Sequence, residues 1–379
     1  MAPTTNKPDY RRRSSQSASC PGSAMAGPDR LKRTLACLVV CFCTLFLSAP
    51  DAPAEQLRFA TWHAPLSRRG PGLLLRDILK GKDAEIAAVV EGIVAAKPDI
   101  LVLTNFDYDA GSAALAAFQS RLAEAGHAMP ERFSLRPNTG MATGVDMDGD
   151  RRLGGPRDAQ GYGMYAGEGG MALLSRLPVL DGAIDLSAIL WRDFPGTQIA
   201  DAALTEDAAA IQRLSSVGHW AVPLDTGHAV LWVLVYHATT PVFDGPKDRN
   251  GRRNHDETAL WLAWLDGLLG EPPPEGQFVL IGDANTDPQK GEGRRSALLR
   301  LLGDPRFQDP RPTHPSRRGE YAADTVDWPD PEPGDLRVSY ILPGSDMRVL
   351  ASGVEWETTE DHQPAIAHKL VWVDVDTDP

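Results

Sequence analysis

The sequence predicts a mixed α/β domain of two sheets with helices packed outside. Three observations carry that expectation. Short apolar runs that read as buried strands alternate with helix-spaced segments in the first half of the chain. Three strand-like runs then close it, which a simple doubly wound sheet would not do. The 379 residues are 42% apolar, enough for a sizeable core.

Residues 1–54 read as a leader outside that fold. Arg30, Lys32 and Arg33 precede an apolar run from Leu35 to Leu47, and the small residues of Ala52-Pro53-Ala54 follow. Basic flank, short apolar run and small-residue site predict a secretory signal peptide cleaved after Ala54, with Met25 as an alternative start. The mature protein is then periplasmic or extracellular. A membrane span needs about 20 apolar residues, so the run is short for a permanent anchor. Cys20, Cys37, Cys41 and Cys43 all lie in this leader, so the mature chain has no disulfide, thiolate metal site or cysteine nucleophile. The whole chain carries 38 Lys and Arg against 51 Asp and Glu, a net charge of −13. Removing the leader deepens the acidity, which disfavours tight nonspecific binding to a nucleic-acid backbone.

The expected elements run in order along the remainder, residues 55–379, as one domain. Leu57 to Trp62 reads as a strand. Asp83 to Ala96 carries Ile86, Val89, Val90 and Ile93 at helical spacing, stopped at Lys97-Pro98-Asp99. Ile100 to Leu103 is a strand, and Leu115, Phe118 and Leu122 mark a second helix. Asn138 to Gly170 is a long Gly-rich loop, Met171 to Leu174 a strand, and Asp181 to Ser216 an insertion over one face. Ala229 to Tyr236 is a strand, followed by a polar loop from Asp244 to Asn254 and a helix from His255 to Leu269. Phe278 to Ile281 is a strand, Ser296 to Leu302 a short helix, and Gly303 to Gly334 a Pro-rich loop. Leu336–Leu342, Arg348–Val354 and Lys369–Val375 are the closing strands.

Two strand ends are chemically informative. Val279-Leu280-Ile281 runs through Gly282 into Asp283 and Asn285, whose alternation aims both polar side chains the same way. A carboxylate and a carboxamide there suit the orientation of water or a phosphoryl oxygen. The competing reading is an Asx turn that caps the strand. Val235-Tyr236 likewise ends on His237. The polar stretch after it holds Arg249, Arg252, Arg253, Asn254 and His255. Arginine forks suit phosphate recognition, while Asn254 and Glu257 also read as a capping box, and both can hold together. No Gly-x-Gly-x-x-Gly, Walker loop or Gly-x-Ser-x-Gly elbow is present.

These segments resemble the endonuclease/exonuclease/phosphatase superfamily, the metal-dependent phosphoesterases of deoxyribonuclease-like fold, and its secreted bacterial branch. The matching stretches include Arg58-Phe59-Ala60-Thr61, Pro98 to Leu103, Phe106-Asp107-Tyr108-Asp109, Gly170 to Ser175, the Phe243 to Glu257 stretch, Gly282-Asp283-x-Asn285, Arg337 to Pro343 and Leu370 to Val375. The resemblance implies a four-layer α-β-β-α sandwich of two mixed, mainly antiparallel sheets. It also implies phosphate-ester hydrolysis with a divalent cation, Mg²⁺ or Mn²⁺ first and Ca²⁺ as a further candidate. Asp283 and Asn285 would orient water and phosphate, His237 would contact the phosphate, and His368 would be the catalytic histidine. Asp361-His362 is the alternative register for that last role.

The chain departs from the family pattern at the metal. His63 stands where the family has Asn, Asn105 where it has a metal-holding Glu, Ser339 where His237 normally finds a carboxylate, and Ala367 where a carboxylate precedes the catalytic His. Asn105, Asp107 and His63 are the candidate substitutes. Asp146, Asp148 and Asp150 alternate as calcium ligands do, but lack the offsets of an EF-hand and also read as an acidic turn. The expected function is an exported phosphoesterase acting on a small phosphate ester, an extracellular nucleotide or nucleic acid. The alternative is a binding protein that keeps the fold without catalysis.

Overall fold

The computed structural model describes residues 56–378 apart from 271, 274, 330 and 357–365. The expected leader and the Asp361-His362 pair lie outside the described residues. The strands are β1 (Gln56–Leu66), β2 (Ile100–Phe106), β3 (Glu131–Phe133), β4 (Gly170–Ser175), β5 (Ile184–Asp185), β6 (Gly218–Asp225), β7 (Val230–His237), β8 (Gln277–Asp283), β9 (Ser339–Pro343), β10 (Arg348–Glu355) and β11 (Leu370–Asp376). The helices are α1 (Leu73–Lys80), α2 (Ala84–Ala96), α3 (Ala113–Glu124), α4 (Glu206–Ile211), α5 (Arg249–Leu265) and α6 (Ser296–Leu302).

One sheet has six strands in the order β10-β11-β1-β2-β4-β3, and the other has five in the order β5-β6-β7-β8-β9. Each contains one parallel pair, β1 with β2 and β7 with β8, and every other pairing is antiparallel. Parallel neighbours need a crossover, and helices supply it: α1 and α2 between β1 and β2, α5 between β7 and β8.

Strand periodicity builds the layers. Phe59, Ile100, Val102 and Leu173 of the first sheet share a buried cluster with Val233, Val235, Val279 and Ile281 of the second. The alternate residues Ala60, Leu101 and Leu103 point away, onto Ile86, Val89, Ile93 and Phe118 of α2 and α3. On the far side, Leu234, Tyr236 and Leu280 pack on Leu260, Trp261 and Trp264 of α5 and Leu298 of α6. Helices, sheet, sheet, helices: the four-layer sandwich follows from both faces of each sheet being apolar. A buried core side chain contributes roughly 1.5–3 kcal/mol by burial.

Several predicted elements differ in extent. Asp83 caps α2, accepting from the Ile86 N–H at 3.0 Å, so that helix begins where the sequence placed it. Helices α1 and α4 and strands β3, β5 and β6 are elements beyond those the sequence pattern predicts. Strand β6 contains Pro223, which argues against a central strand, but its outer neighbour β5 is only two residues long. The expected polar loop Asp244–Asn254 is largely helix, because α5 starts at Arg249 and not at His255. Asn254 is therefore no N-cap but a buried residue of the helix interior.

Candidate active site

The same alternation that fills the inter-sheet core delivers polar side chains at its end. Phe59, Thr61 and His63 share a face of β1; Val233, Val235 and His237 share one of β7; Val279, Ile281 and Asp283 share one of β8. In register, His237 lies beside Asp283, and Asp283 beside Ser339. The carboxyl ends of both parallel pairs thus meet at one mouth, where an apolar slot turns polar.

Gly282 makes the approach of β8 to β7 possible. Its φ is 154°, and a Cβ there would sit 1.9 Å from the Tyr236 carbonyl oxygen. Asn285 follows in a left-handed conformation, φ 51°. Its N–H donates to Asp283 Oδ1 at 3.0 Å, and its side-chain amide donates to the Ala238 carbonyl at 2.8 Å. The Asx turn and the polar site expected here coexist: one carboxylate oxygen holds the turn and the other faces the mouth.

That second oxygen, Oδ2, lies 3.2 Å from His63 Nδ1 and 3.8 Å from His368 Nδ1. His368 stacks on His63 with ring centroids 4.2 Å apart, and His237 meets His63 edge-on at 5.1 Å. Trp62 fixes the backbone of His368, its indole N–H donating to the His368 carbonyl at 2.8 Å, and Trp328 packs edge-on against the His368 ring. Ligand atoms of His63, His237 and Asp283 all fall within 4.8 Å of one another.

Burial sets the protonation of this group. It opposes ionisation of Asp283, which is 1% exposed, but His63, His368 and His237 outweigh it and hold the carboxyl at about 2. Burial pushes His237 down to about 4, with His63 adding to it and Asp283 resisting. His368 is pushed down to about 3 by burial and then by His63. At neutral pH Asp283 is an anion, and His237 and His368 are neutral imidazoles. Among the described residues, His237 Nδ1, His368 Nδ1 and Ser339 Oγ are buried without a hydrogen-bond partner, and His63 Nδ1 and Asp283 Oδ2 have only each other.

The other sequence candidates divide. Asp107 is drawn away from the mouth: it accepts from Ser67 Oγ, the Arg68 N–H and the Gly169 N–H, so both oxygens are engaged in holding loops. Asn105 has φ 61° and donates its amide to the Ala64 carbonyl at 3.0 Å. Arg253 is 8% exposed and donates to the carbonyls of Leu214, Gln160, Arg213 and Ser215. Asn254 donates to Thr239 and Ala284 and accepts from Thr286. These two residues tie α5 to the loops behind the mouth: Arg253 Nε and Nη2 and the Asn254 amide all donate to backbone carbonyls. His255 contacts Asp256 and Gln198, and Arg252 contacts Asp201 and the Lys247 carbonyl. Arg249 donates to the Met147 carbonyl and, with Lys247, Arg157 and Thr240, lines a cleft of about 650 Å³ beyond the end of β7. In the acidic turn, Asp146 accepts from the Gly149, Asp150 and Arg151 N–H groups. Asp158, not Asp150, completes the cluster with Asp146 and Asp148, and it too accepts backbone N–H groups.

Two sheets closed back to back, with polar residues at the ends of their parallel strands, define the class of fold. The family model described as endonuclease/exonuclease/phosphatase matches residues 70–362, and the chain belongs to that family. An endonuclease/exonuclease/phosphatase from Beutenbergia cavernae DSM 12333 is similar in structure at 16% identity, covering 85% of this chain and 72% of that one, with a TM-score of 0.53. An endonuclease/exonuclease/phosphatase family protein from Leptotrichia buccalis C-1013-b is similar at 12% identity, covering 84% and 99%, with a TM-score of 0.50. At these identities the likeness concerns the fold. No curated protein matches the sequence.

Proposed function

We propose that this chain is an exported phosphoesterase that hydrolyses a phosphate mono- or diester with a divalent cation. The observation that carries the reading is the convergence of His63, His237 and Asp283 at the carboxyl ends of the two parallel strand pairs. Family membership supports ester hydrolysis, and the leader supports export.

The residues present fit a cation, since a carboxylate oxygen and imidazole nitrogens face one point. His63, His237 and Asp283 would hold it, and once bound it would supply positive charge to the phosphoryl oxygens. The remaining work falls to the chain. Asp283 stays ionised and orients the attacking water, and Asn285 fixes its rotamer through the turn. His368, held by Trp62 and stacked on His63, accepts the proton of that water and returns it to the leaving oxygen. Arg249, Lys247 and Arg157, in the cleft whose wall begins at Thr239 two residues past His237, would contact the remainder of a longer ester. The acidic surface favours small esters, lipid headgroups or nucleotides over intact duplex DNA.

The test is turnover of p-nitrophenyl phosphate, its bis ester, inositol phosphates and plasmid DNA by the mature protein with divalent cations. Turnover abolished by His368→Ala supports the reading. No turnover with any of the four substrates and any cation overturns it.

A further inference from the structure

The donor set at the mouth does not suit the hard cation that a carboxylate-rich site would hold. Mg²⁺ and Ca²⁺ take oxygen ligands, Mg²⁺ usually through one or two carboxylates and retained water. Here Asn105 offers at most a neutral carbonyl, and Asp107 is engaged with Ser67, Arg68 and Gly169. Among the described residues a single carboxylate oxygen, Asp283 Oδ2, faces the mouth, and imidazole nitrogens surround it. Such nitrogens suit zinc, copper, iron and nickel far better than magnesium.

We propose that His63, His237 and Asp283 bind a nitrogen-preferring transition-metal ion of the zinc class, with His368 beside the site and outside the ligand set. The proposal rests on the phosphoesterase reading only for its location, and it concerns binding, not turnover. Two independent observations support it. The ligand atoms of three residues from different strands lie within 4.8 Å of each other, although β1 belongs to one sheet and β7 and β8 to the other. In addition, among the described residues, buried polar atoms of His237, His368 and Ser339 at this one spot have no hydrogen-bond partner, and His63 Nδ1 and Asp283 Oδ2 meet only each other, 3.2 Å apart. Left unmet, buried polar groups cost about 1–3 kcal/mol each, so their concentration at a single point is explained by an ion that takes their lone pairs. Ser339 belongs to the same picture. It lies opposite Asp283 in register and adds no carboxylate to the mouth.

The experiment uses the full mature chain, stripped with a chelator. Zn²⁺, Co²⁺ and Mg²⁺ are titrated by calorimetry, and the Co²⁺ complex is followed by its visible absorption, which reports nitrogen coordination without any substrate. We expect one Co²⁺ or Zn²⁺ per chain, displacing each other and undisturbed by excess Mg²⁺. His63→Gln and His237→Gln should weaken Co²⁺ by more than about 100-fold, beyond the 10–100-fold that loss of an outer partner causes. His228→Gln, at an exposed loop, should bind as the unmodified chain does. Circular dichroism establishes that each variant is folded, and competition between Mg²⁺ and Zn²⁺ in the unmodified chain needs no variant at all. Tight Mg²⁺ binding with no Co²⁺ spectrum overturns the proposal, as does Co²⁺ binding that survives both histidine changes. Turnover supported by Mg²⁺ alone would overturn the metal assignment and leave the phosphoesterase reading standing. A bound transition metal with no turnover would do the reverse.

Discussion

Replacing Asp283 by Asn removes one charge and little else, which makes it the sharpest probe of the mouth. The amide oxygen can still accept the Asn285 N–H that Oδ1 now receives at 3.0 Å, so the turn into the loop should persist. What is lost is the anion beside His63 at 3.2 Å and His368 at 3.8 Å. The carboxyl sits at about 2 against an ordinary 3.8, a preference for the ionised form of roughly 2 kcal/mol. Because the folded state lowers this group, its contribution is fully present above pH 3.8 and is lost as pH falls towards 2. At pH 7 the variant should therefore unfold at a lower urea midpoint, chiefly through loss of the His63 contact, and the gap should start to close below pH 3.8. Loss of a charge that positions the nucleophile should reduce kcat/KM for bis-p-nitrophenyl phosphate by about 100- to 10,000-fold. Turnover within about tenfold of the parent, at unchanged metal content, would refute the role given to Asp283.

Other consequences can be checked separately. Gly282→Ala should destabilise the chain by more than about 1 kcal/mol, since its Cβ would meet the Tyr236 carbonyl at 1.9 Å; an unchanged denaturation midpoint would contradict this. Arg253→Ala should cost roughly 3 kcal/mol or more in stability, read from the urea midpoint, because four backbone carbonyls lose their donors. Arg249→Ala should instead raise KM with a small stability change, as steady-state kinetics would show. His219 is fully buried and pushed down to about 3 from 6.5, so it stays neutral in the folded chain while the unfolded chain protonates. Its contribution is complete above pH 6.5 and is lost as pH falls towards 3, about 2 kcal/mol of it by pH 5; His219→Gln should flatten the pH dependence of the urea midpoint by that amount.

The fold was legible wherever one period dominated. The strands of Ile100, Ala229, Phe278 and Lys369, and the helix of Ile86 and Val89, were found within a few residues of their positions because both their faces are apolar. Strand β6 was missed because Pro223 and His219 break its apolar run. The start of α5 was misread because its first turns carry arginine and asparagine. Such residues look solvated in a sequence, yet here they donate to buried carbonyls of distant loops. The same limit applied to the site. Asp283 and His237 stood out as strand-end polar residues, and the parity of β1 from Phe59 could have raised His63 from a weak candidate. No local signal could show that Asp107 turns to Ser67 and Gly169, because that depends on residues 40 and 62 positions away.

The central claim is that a phosphoryl group is attacked at the mouth formed by His63, His237, Asp283 and His368. A crystal of the metal-loaded chain soaked with vanadate, which mimics the phosphoryl group in attack, locates that group by anomalous scattering. The vanadium is expected between Asp283 and His368, with one of its oxygens towards His63 and His237. Vanadate bound only in the cleft at Arg249, or nowhere within the mouth, would contradict it.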